Sequence, residues 1–239
     1  MQLTTLTLNI SLHPSDLSAF RASIIEVVGR EHHLFHNHDN SEGKDHHHWG
    51  YPLIQYSVRH GQATITGINE GSTAIKRLLI PQLSDHLEIK GQSFPIMDFN
   101  LKARAIEVNW QSEPRTYGLA GWLALNKENY RMWKISEDEE IRKMVLSQAL
   151  TGQLRALAEG LQLDHPKQAV GRVLRIDNQK KIQWHEVSLI RFDVLMQCNL
   201  HIPTGLNLGR IAAFGFGEIM HPSQYQAYQN SRKRVLSYS

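Results

Sequence analysis

The sequence predicts an α+β protein with two tandem ferredoxin-like (RRM-like) domains, each an antiparallel sheet with helices on one face. The first part of the chain orders its elements as strand, helix, strand, strand, helix, strand, which is the split βαβ arrangement of that fold. The second part repeats the same kinds of segment. A chain of 239 residues, 41% hydrophobic and 21% charged, has the composition of an ordinary globular protein and the length to bury such cores.

Apolar periodicity identifies the elements of the N-terminal domain, which is predicted to span 1–94. Residues 5–12 alternate strictly between polar and apolar, and this alternation indicates a half-buried strand. Apolar residues then recur at helical spacing between Pro14 and Gly29, which predicts a helix. The later elements are a hairpin with strands at 51–58 and 63–68, a helix at 69–80 and a closing strand at 86–90.

The C-terminal domain is predicted to span 95–239, and the order of elements places the boundary near Phe94 and Pro95. Strands are predicted at 97–110 and 116–125, joined by a turn at SEPR (112–115). A long helix is predicted to begin at a capping box formed by Ser136 and Glu139. Further strands are predicted at 172–177 and 188–202.

Charge is distributed unevenly in a chain whose net charge is only +3. Residues 1–164 carry 16 Lys/Arg against 19 Asp/Glu, whereas residues 165–239 carry 10 against 4, a balance of +6. A basic C-terminal third indicates a surface for a polyanion, for which nucleic acid is the usual candidate. The alternative is a basic face that only keeps the protein soluble.

Several classes of protein are not expected. No apolar run approaches the roughly 18 to 20 residues that a membrane helix requires, so no membrane partner is predicted. The N-terminal residues have no basic segment followed by an apolar core, and no signal peptide is expected. Cys198 is the single cysteine, which excludes an intramolecular disulfide and a multi-cysteine zinc site. The predicted location is therefore the reducing cytoplasm.

A histidine-rich segment is the first candidate site. Between Arg30 and Trp49 the chain reads REHHLFHNHDNSEGKDHHHW, in which seven of the twenty residues are histidine. The imidazoles could bind metal, transfer protons or lie in a solvated loop without a shared role. A metal site could use His36, His38 and Asp39, or the run His46-His47-His48. Ligands drawn from one Gly- and Ser-bearing loop are poor chelators, however, which disfavours the metal alternative.

A glycine-rich segment, GLNLGRIAAFGFGEI, is the second candidate site. Its glycines allow backbone to approach a phosphate, and Arg210 adds a positive charge at the same place. The segment lacks the Gly-Lys-Ser/Thr ending of a P-loop and the spacing of GxGxxG. The alternative is a turn between packed elements.

These two segments together resemble the CRISPR-associated repeat-cleaving endoribonucleases, the Cas6 family of the RAMP superfamily. In that family's glycine loop, two Gly-apolar-Gly units flank about five residues that include a basic one. This chain has Asn207-Leu208-Gly209, then RIAAF, then Gly215-Phe216-Gly217, so that Asn207 replaces the first glycine. The stretch from VGRE through LFHNH and YPLIQY to GINEG is similar to the N-terminal half of one branch of the family.

The resemblance implies an enzyme that binds the repeat of a CRISPR precursor RNA and cuts one phosphodiester without metal or other cofactor. The nucleophile is the RNA's own 2′-hydroxyl, and the products carry a 2′,3′-cyclic phosphate and a 5′-hydroxyl. The catalytic pair of the HNH tripeptide corresponds to His36 and His38, with His36 as base and His38 as acid, or the reverse. Histidine suits both proton roles because its unperturbed pKa of about 6.5 lies near neutral pH.

Further residues are assigned supporting roles. Tyr51 is a candidate for orienting the substrate, and Lys102 and Arg104 for neutralising charge from one face of a later strand. The resemblance assigns the glycine loop to the RNA backbone, through Gly209, Arg210, Gly215 and Gly217, with Lys180, Lys181 and Arg191 nearby. The tail contributes Arg232, Lys233 and Arg234, either as a disordered basic arm that orders on RNA or as a frayed terminus.

The implied partners are CRISPR repeat RNA and other CRISPR effector subunits, with the protein as a monomer or homodimer. Two alternatives to this enzyme remain. One is a metal-dependent nuclease that uses the histidine cluster. The other is an RNA-binding subunit that does not cleave and stacks bases on strand aromatics. The candidate aromatics are Tyr51, Tyr56, Trp110, Tyr117 and Trp122.

Overall fold

The structure is a computed structural model in which the chain divides into two compact units. The first comprises Met1–Ile106 and Ala213–Gly215, and the second comprises Glu107–Ala212 and Phe216–Ser239. Side chains are described for residues 1–36 and 50–232, and the backbone also for His38–Asp39, His46–His47 and 233–237. Within these residues no helix is both long enough and apolar enough to span a membrane.

Both units contain strands and helices. The strands are β1 (Gln2–Ser11), β2 (His38–Asp39), β3 (His46–His47), β4 (Ile54–Arg59), β5 (Gln62–Ile68), β6 (His86–Ile89), β7 (Gln92–Pro95), β8 (Phe99–Ala105), β9 (Asn109–Trp122), β10 (Gly171–Trp184), β11 (Val187–His201) and β12 (Glu218–Met220). The helices are α1 (Leu17–Val28), α2 (His33–His36), α3 (Glu70–Ala74), α4 (Lys127–Ile135), α5 (Glu139–Gly160) and α6 (Pro222–Ser237). A π-helical turn (Ile75–Leu79) and a 3-10 turn (Ile80–Gln82) continue α3, and other 3-10 turns lie at Pro14–Asp16, Pro166–Gln168 and Ala212–Phe214.

The first sheet has the strand order β4-β5-β1-β8, which is the ferredoxin-like order. Its closing strand is β8, which pairs antiparallel with β1 from Gln2↔Ala105 to Leu8↔Phe99. The division between the units therefore falls after Ile106 rather than at the predicted 94/95. The prediction of a closing strand at 86–90 is also wrong, because β6 pairs with β7 in a separate hairpin.

One face of the first sheet carries the core of the first unit. Leu6, Ile65 and Tyr56 occupy paired positions on neighbouring strands, and none of the three is exposed to solvent. Phe20 on α1 meets the Tyr56 ring edge-on, with ring centroids 6.0 Å apart. The helical residues Ile24, Ile75 and Leu79 are buried in the same cluster. The strand alternation read from the sequence thus marks the helix-covered face.

The second sheet has the order β10-β11-β9-β12, which is again ferredoxin-like, and the predicted fold class is confirmed. One strand, β9, runs through SEPR, so the turn predicted there is wrong. The sheet accommodates this segment by a register shift between Cys198 and Leu200. Helix α5 is capped by Asp138, whose carboxylate accepts from the Glu140 N–H at 2.8 Å, rather than by the predicted Ser136 box.

Helices lie on both faces of the second sheet. Trp133 of α4 packs on Phe192 of β11, with ring centroids 5.7 Å apart. On the opposite face α6 lies directly on β9, because a Cβ built at Gly118 would be 2.0 Å from the Tyr225 ring. The backbone of the tail is helical as far as Ser237, the last residue of α6.

The single cysteine is part of the core of the second unit. Cys198 is 1% exposed, and its thiol donates to the carbonyl of Leu200 at 3.4 Å. Burial raises the pKa of this thiol to about 11. Because the thiolate is the reactive form, the folded protein holds Cys198 in an inert state.

Candidate active site

The short helix α2 places His36 at its C-terminal end. A helix of four residues forms almost no internal hydrogen bonds, so its last carbonyls need hydrogen-bond donors from outside the helix. Phe35, 1% exposed, anchors α2 in the core of the first unit. Its carbonyl accepts from the Tyr56 hydroxyl at 3.2 Å and from Nε of Arg21 at 3.3 Å. Nη2 of Arg21 donates to the carbonyl of His36. The main chain of His36 is therefore fixed.

The imidazole of His36 is also oriented. Its Nε2 lies 2.7 Å from the carbonyl oxygen of Arg30, and the residue is 8% exposed. A carbonyl oxygen only accepts hydrogen bonds, so Nε2 carries the proton in this contact. In the neutral ring the lone pair consequently lies on Nδ1. This tautomer is the one in which a histidine accepts a proton through Nδ1.

His38, the second predicted catalytic residue, follows on β2. Its backbone pairs with His47 of β3, and Asp39 pairs with His46. The side chains of these four residues lie outside the described residues, as does all of Asn37. Among the side chains that are described, no three His, Cys, Asp or Glu residues cluster at metal-binding distance.

Tyr51 lies in the interior rather than on an open surface. It is 8% exposed, and its hydroxyl accepts from Nε2 of Gln55 at 2.9 Å. Burial raises the pKa of this hydroxyl. Tyr51 thus faces the protein interior, where it can support the loop that precedes β4.

Lys102 and Arg104 are exposed on β8, at the opposite edge of the sheet from β4. They pair with Thr5 and Leu3, which alternate with the core residues of β1, so both cations lie on the face away from the helices. Tyr56, the residue of β4 that holds α2, points to the helix-covered face. The structure thus places Lys102 and Arg104 on one face of β8, and Tyr56, which holds α2, on the other face of the sheet.

The glycine-rich loop is closed by its own backbone. The N–H of Leu208 donates to the carbonyl of Gly217 at 2.8 Å, and the N–H of Gly217 donates to Gly121 at 3.1 Å. Gly217 has φ +78, and a Cβ there would lie 1.8 Å from the carbonyl oxygen of Leu208. Asn207, which replaces the family's first glycine, is 2% exposed and donates from Nδ2 to Ala212 at 3.3 Å. The substitution therefore adds a cross-link within the loop.

Arg210 extends from this loop with one nitrogen already engaged. Its Nη1 donates to the carbonyl of Leu125 at 2.7 Å, and its N–H donates to Leu123 at 3.0 Å. The residue is nevertheless exposed. An arginine has five N–H donors, so an anchored guanidinium can still present others to a phosphate.

The predicted cations of the β10–β11 hairpin divide between its two faces. Lys180 pairs with Arg191, so these two side chains share one face, and Lys181 points to the other. Trp184 lies on the Lys180 face and contacts Phe216 of the glycine-rich loop, with ring centroids 5.2 Å apart. The structure thus groups Lys180 and Arg191 with this loop and separates Lys181 from them.

The tail cations have different environments. Arg232 forms an ion pair through Nη1 with Asp193, which is fully buried, and its guanidinium lies 5.7 Å from the Tyr228 ring. Arg232 thus holds α6 on the sheet, a role that sequence reasoning did not assign. The side chains of Lys233 and Arg234 lie outside the described residues.

Most of the candidate stacking aromatics belong to the cores. Trp110 is half-buried and donates from Nε1 to the carbonyl of Asp164 at 2.9 Å. The other four are at most 8% exposed: Tyr51, Tyr56, Tyr117 and Trp122. These rings are not available for base stacking in this conformation.

Known proteins share this architecture over nearly the whole chain. The family model described as the Cas6b N-terminal domain matches residues 1–107, and the one described as the Cas6b C-terminal domain matches residues 109–222. The two models meet within two residues of the division between the structural units. A comparison with curated proteins finds no match.

Solved structures agree with the family models. A crystal structure of Cas6b is 22% identical, covers 92% of this chain and 99% of its own, and has a TM-score of 0.76. A second, of the CRISPR RNA processing endoribonuclease Cas6b, is 19% identical, with coverages of 92% and 99% and a TM-score of 0.66. The type IV Cas6 crRNA endonuclease Csf5 is 13% identical, with coverages of 92% and 98% and a TM-score of 0.54.

Tandem ferredoxin-like units are the fold that this chain shares with the solved Cas6b and Cas6 structures. Among proteins of that fold, the chain belongs to the Cas6b family, whose N- and C-terminal domain models it matches in order.

Proposed function

We propose that this protein is a metal-independent endoribonuclease that binds the repeat of CRISPR precursor RNA and cleaves it by attack of the RNA's own 2′-hydroxyl. The observation that carries the proposal is the match of both Cas6b domain models across residues 1–222 with one unmatched position between them. A similar structure is described as a CRISPR RNA processing endoribonuclease, which supports the same substrate class.

The geometry of His36 supports its role as the general base. The carbonyl of Arg30 holds the proton on Nε2, and in this proposal Nδ1 of the neutral ring takes the 2′-hydroxyl proton. As that proton leaves, the 2′-oxygen attacks phosphorus, and the bond to the 5′-oxygen breaks. His38 protonates that 5′-oxygen, which gives the 2′,3′-cyclic phosphate and the 5′-hydroxyl. Each positioned acid or base contributes about 10² to 10⁴ in rate.

The basic surface of the second unit supplies RNA binding in this proposal. Arg210 is exposed on the glycine-rich loop, and Lys180 and Arg191 share a face of the β10–β11 hairpin with Trp184, which contacts that loop. Gly209, Gly215 and Gly217 shape the loop so that its backbone can approach the RNA. Repeat RNA is thus the partner, and the protein needs no cofactor.

Cleavage of a labelled repeat RNA from the source genome's CRISPR array, in excess EDTA, tests the proposal. We expect a single cut in EDTA, and no cut when the scissile nucleotide carries a 2′-deoxy substitution. His36→Ala and His38→Ala should each lower the rate by about 10² or more. His86→Ala, at an exposed histidine of β6, is the matched control.

Each contrary outcome has a distinct meaning. Cleavage that requires an added divalent metal would assign the histidine segment to metal binding and refute the mechanism. Tight binding without cleavage in either condition would make the protein a repeat-binding subunit.

A further inference from the structure

Arg21 has a set of contacts that the proposed reaction has not used. It lies on α1 in the first unit, and its guanidinium donates to the carbonyls of both Phe35 and His36. The guanidinium carbon lies 4.8 Å from the centroid of the Phe214 ring. Burial lowers the pKa of Arg21, but arginine remains a cation at neutral pH. One half-buried cation thus touches the end of α2 and an aromatic ring.

The contact at α2 sets the position of the candidate base. A four-residue helix contributes little stability of its own, and its C-terminal carbonyls concentrate partial negative charge. The two donors of Arg21 satisfy those carbonyls in a fixed fork geometry that a lysine lacks. Arg21 and the Phe35 anchor, together with the Tyr56 hydroxyl, therefore hold the main chain from which the His36 ring projects.

The contact at Phe214 connects Arg21 to the glycine-rich loop. Phe214 stands directly before Gly215 and packs, partly buried, against the core of the first unit. A cation over an aromatic face is attracted by the ring's quadrupole, and this attraction strengthens where water is excluded. Phe214 therefore restrains the guanidinium through its ring.

We propose that Arg21 is a positioning residue that couples the glycine-rich loop to His36, with Phe214 holding the guanidinium and the guanidinium holding the His36 carbonyl. This inference rests on the proposed function. Through Phe214 the loop sets the position of the guanidinium, and through the guanidinium it sets the position of the base. The loss of Arg21 should consequently slow the chemical step while RNA affinity changes little.

Single-turnover cleavage at saturating RNA, together with a separate measurement of Kd, tests the coupling. Arg21→Ala should lower the cleavage rate by about 10², because a misplacement of about 1 Å can cost that much. Free guanidinium at millimolar concentration should restore part of the rate, whereas sodium chloride at the same ionic strength should not. Arg131→Ala, at an exposed arginine of α4, is the matched control.

Phe214 provides an independent pair of variants if Arg21→Ala fails to fold. Phe214→Tyr keeps the aromatic face and should cleave at close to the wild-type rate. Phe214→Leu keeps an apolar side chain without the quadrupole and should lose rate with unchanged Kd. Thermal unfolding of both variants establishes that they are folded.

The outcomes separate this inference from the proposed function. If the wild-type protein does not cut RNA in EDTA, the proposed function has failed. If the wild-type protein cuts and Arg21→Ala cuts equally fast, Arg21 is not a positioning residue. Equal rates for folded Phe214→Leu and Phe214→Tyr would overturn the coupling to the glycine-rich loop.

Discussion

Asp193 is a buried residue whose contacts stabilise the fold of the second unit. The side chain is completely buried, and its carboxylate accepts from the Gly121 N–H at 2.7 Å and from Nδ2 of Asn178 at 3.1 Å. Its ion pair with Arg232 supplies the compensating charge. A buried carboxylate without such partners would cost several kcal/mol.

We therefore expect Arg232→Ala to lower the free energy of unfolding by about 3 kcal/mol, because it leaves the Asp193 charge buried without its cation. Urea denaturation of the variant measures the loss, and Arg131→Ala serves as the control. Unchanged stability combined with weaker RNA binding would instead make Arg232 the RNA contact that the sequence suggested.

At the level of residues, the sequence revealed functional candidates whose residue type and motif are themselves informative. His36 was recognisable as a histidine in a motif, and the structure adds its orientation through Arg30. Arg21 gave no signal, because it binds main-chain carbonyls, which every residue possesses. The ion pair of Arg232 gave no signal either, because its partner lies 39 positions earlier in the chain.

At the level of elements, alternation of polar and apolar residues succeeded where one face of a strand is buried. It located β1 and the hairpin of β4 and β5. It predicted a strand over β8 but did not assign that strand to the first sheet, because all seven of its residues are exposed and no burial pattern marks its partner. The Pro in SEPR suggested a turn, whereas the sheet tolerates that segment with a register shift.

Two adjacent lysines of the β10–β11 hairpin point to opposite faces. Lys180 shares its face with Arg191 and with the Trp184 ring that contacts the glycine-rich loop, and Lys181 does not. We expect Lys180→Gln to weaken RNA binding and to reduce the slope of log Kd against log salt by about 1, as for the loss of one phosphate contact.

Lys181→Gln, the same substitution one position later, should leave that slope nearly unchanged. Filter binding at several salt concentrations measures both variants. Equal losses of slope would show that RNA contacts both faces of the hairpin. A loss for Lys181→Gln alone would reverse the assignment of the RNA-facing side.

For the whole molecule, the element order was the most informative part of the sequence. It predicted two ferredoxin-like sheets, and both are present with the expected strand orders. The division between them was misplaced, because the last strand of the first sheet follows an extra hairpin. Long-range pairing of that kind leaves no local pattern in the sequence.

The free energy of unfolding should decrease at alkaline pH. Burial raises the pKa of Tyr51 and Tyr56 in the folded state. The unfolded tyrosines lose their protons near about pH 10, so ionisation favours the unfolded chain and stability falls as pH rises beyond that value. Each of these two tyrosines should lower the free energy of unfolding by up to about 1.4 kcal/mol per pH unit.

Urea denaturation at pH 8 and at pH 11, followed together with tyrosinate absorbance, measures this effect. Tyr51→Phe should make the free energy of unfolding decline less steeply with pH, because unfolding then releases one proton fewer. If tyrosinate absorbance developed fully while the protein stayed folded, the assigned burial of these hydroxyls would be refuted.

The burial of Cys198 allows thiol labelling to measure how often the second unit opens. Because the only thiol is inert while the chain is folded, a thiol-reactive dye added in excess attaches only when the second unit opens, and the labelling rate reports how often it does so. The same inertness allows a second cysteine, introduced on an exposed position of the β10–β11 hairpin, to carry a fluorophore without removal of the native one.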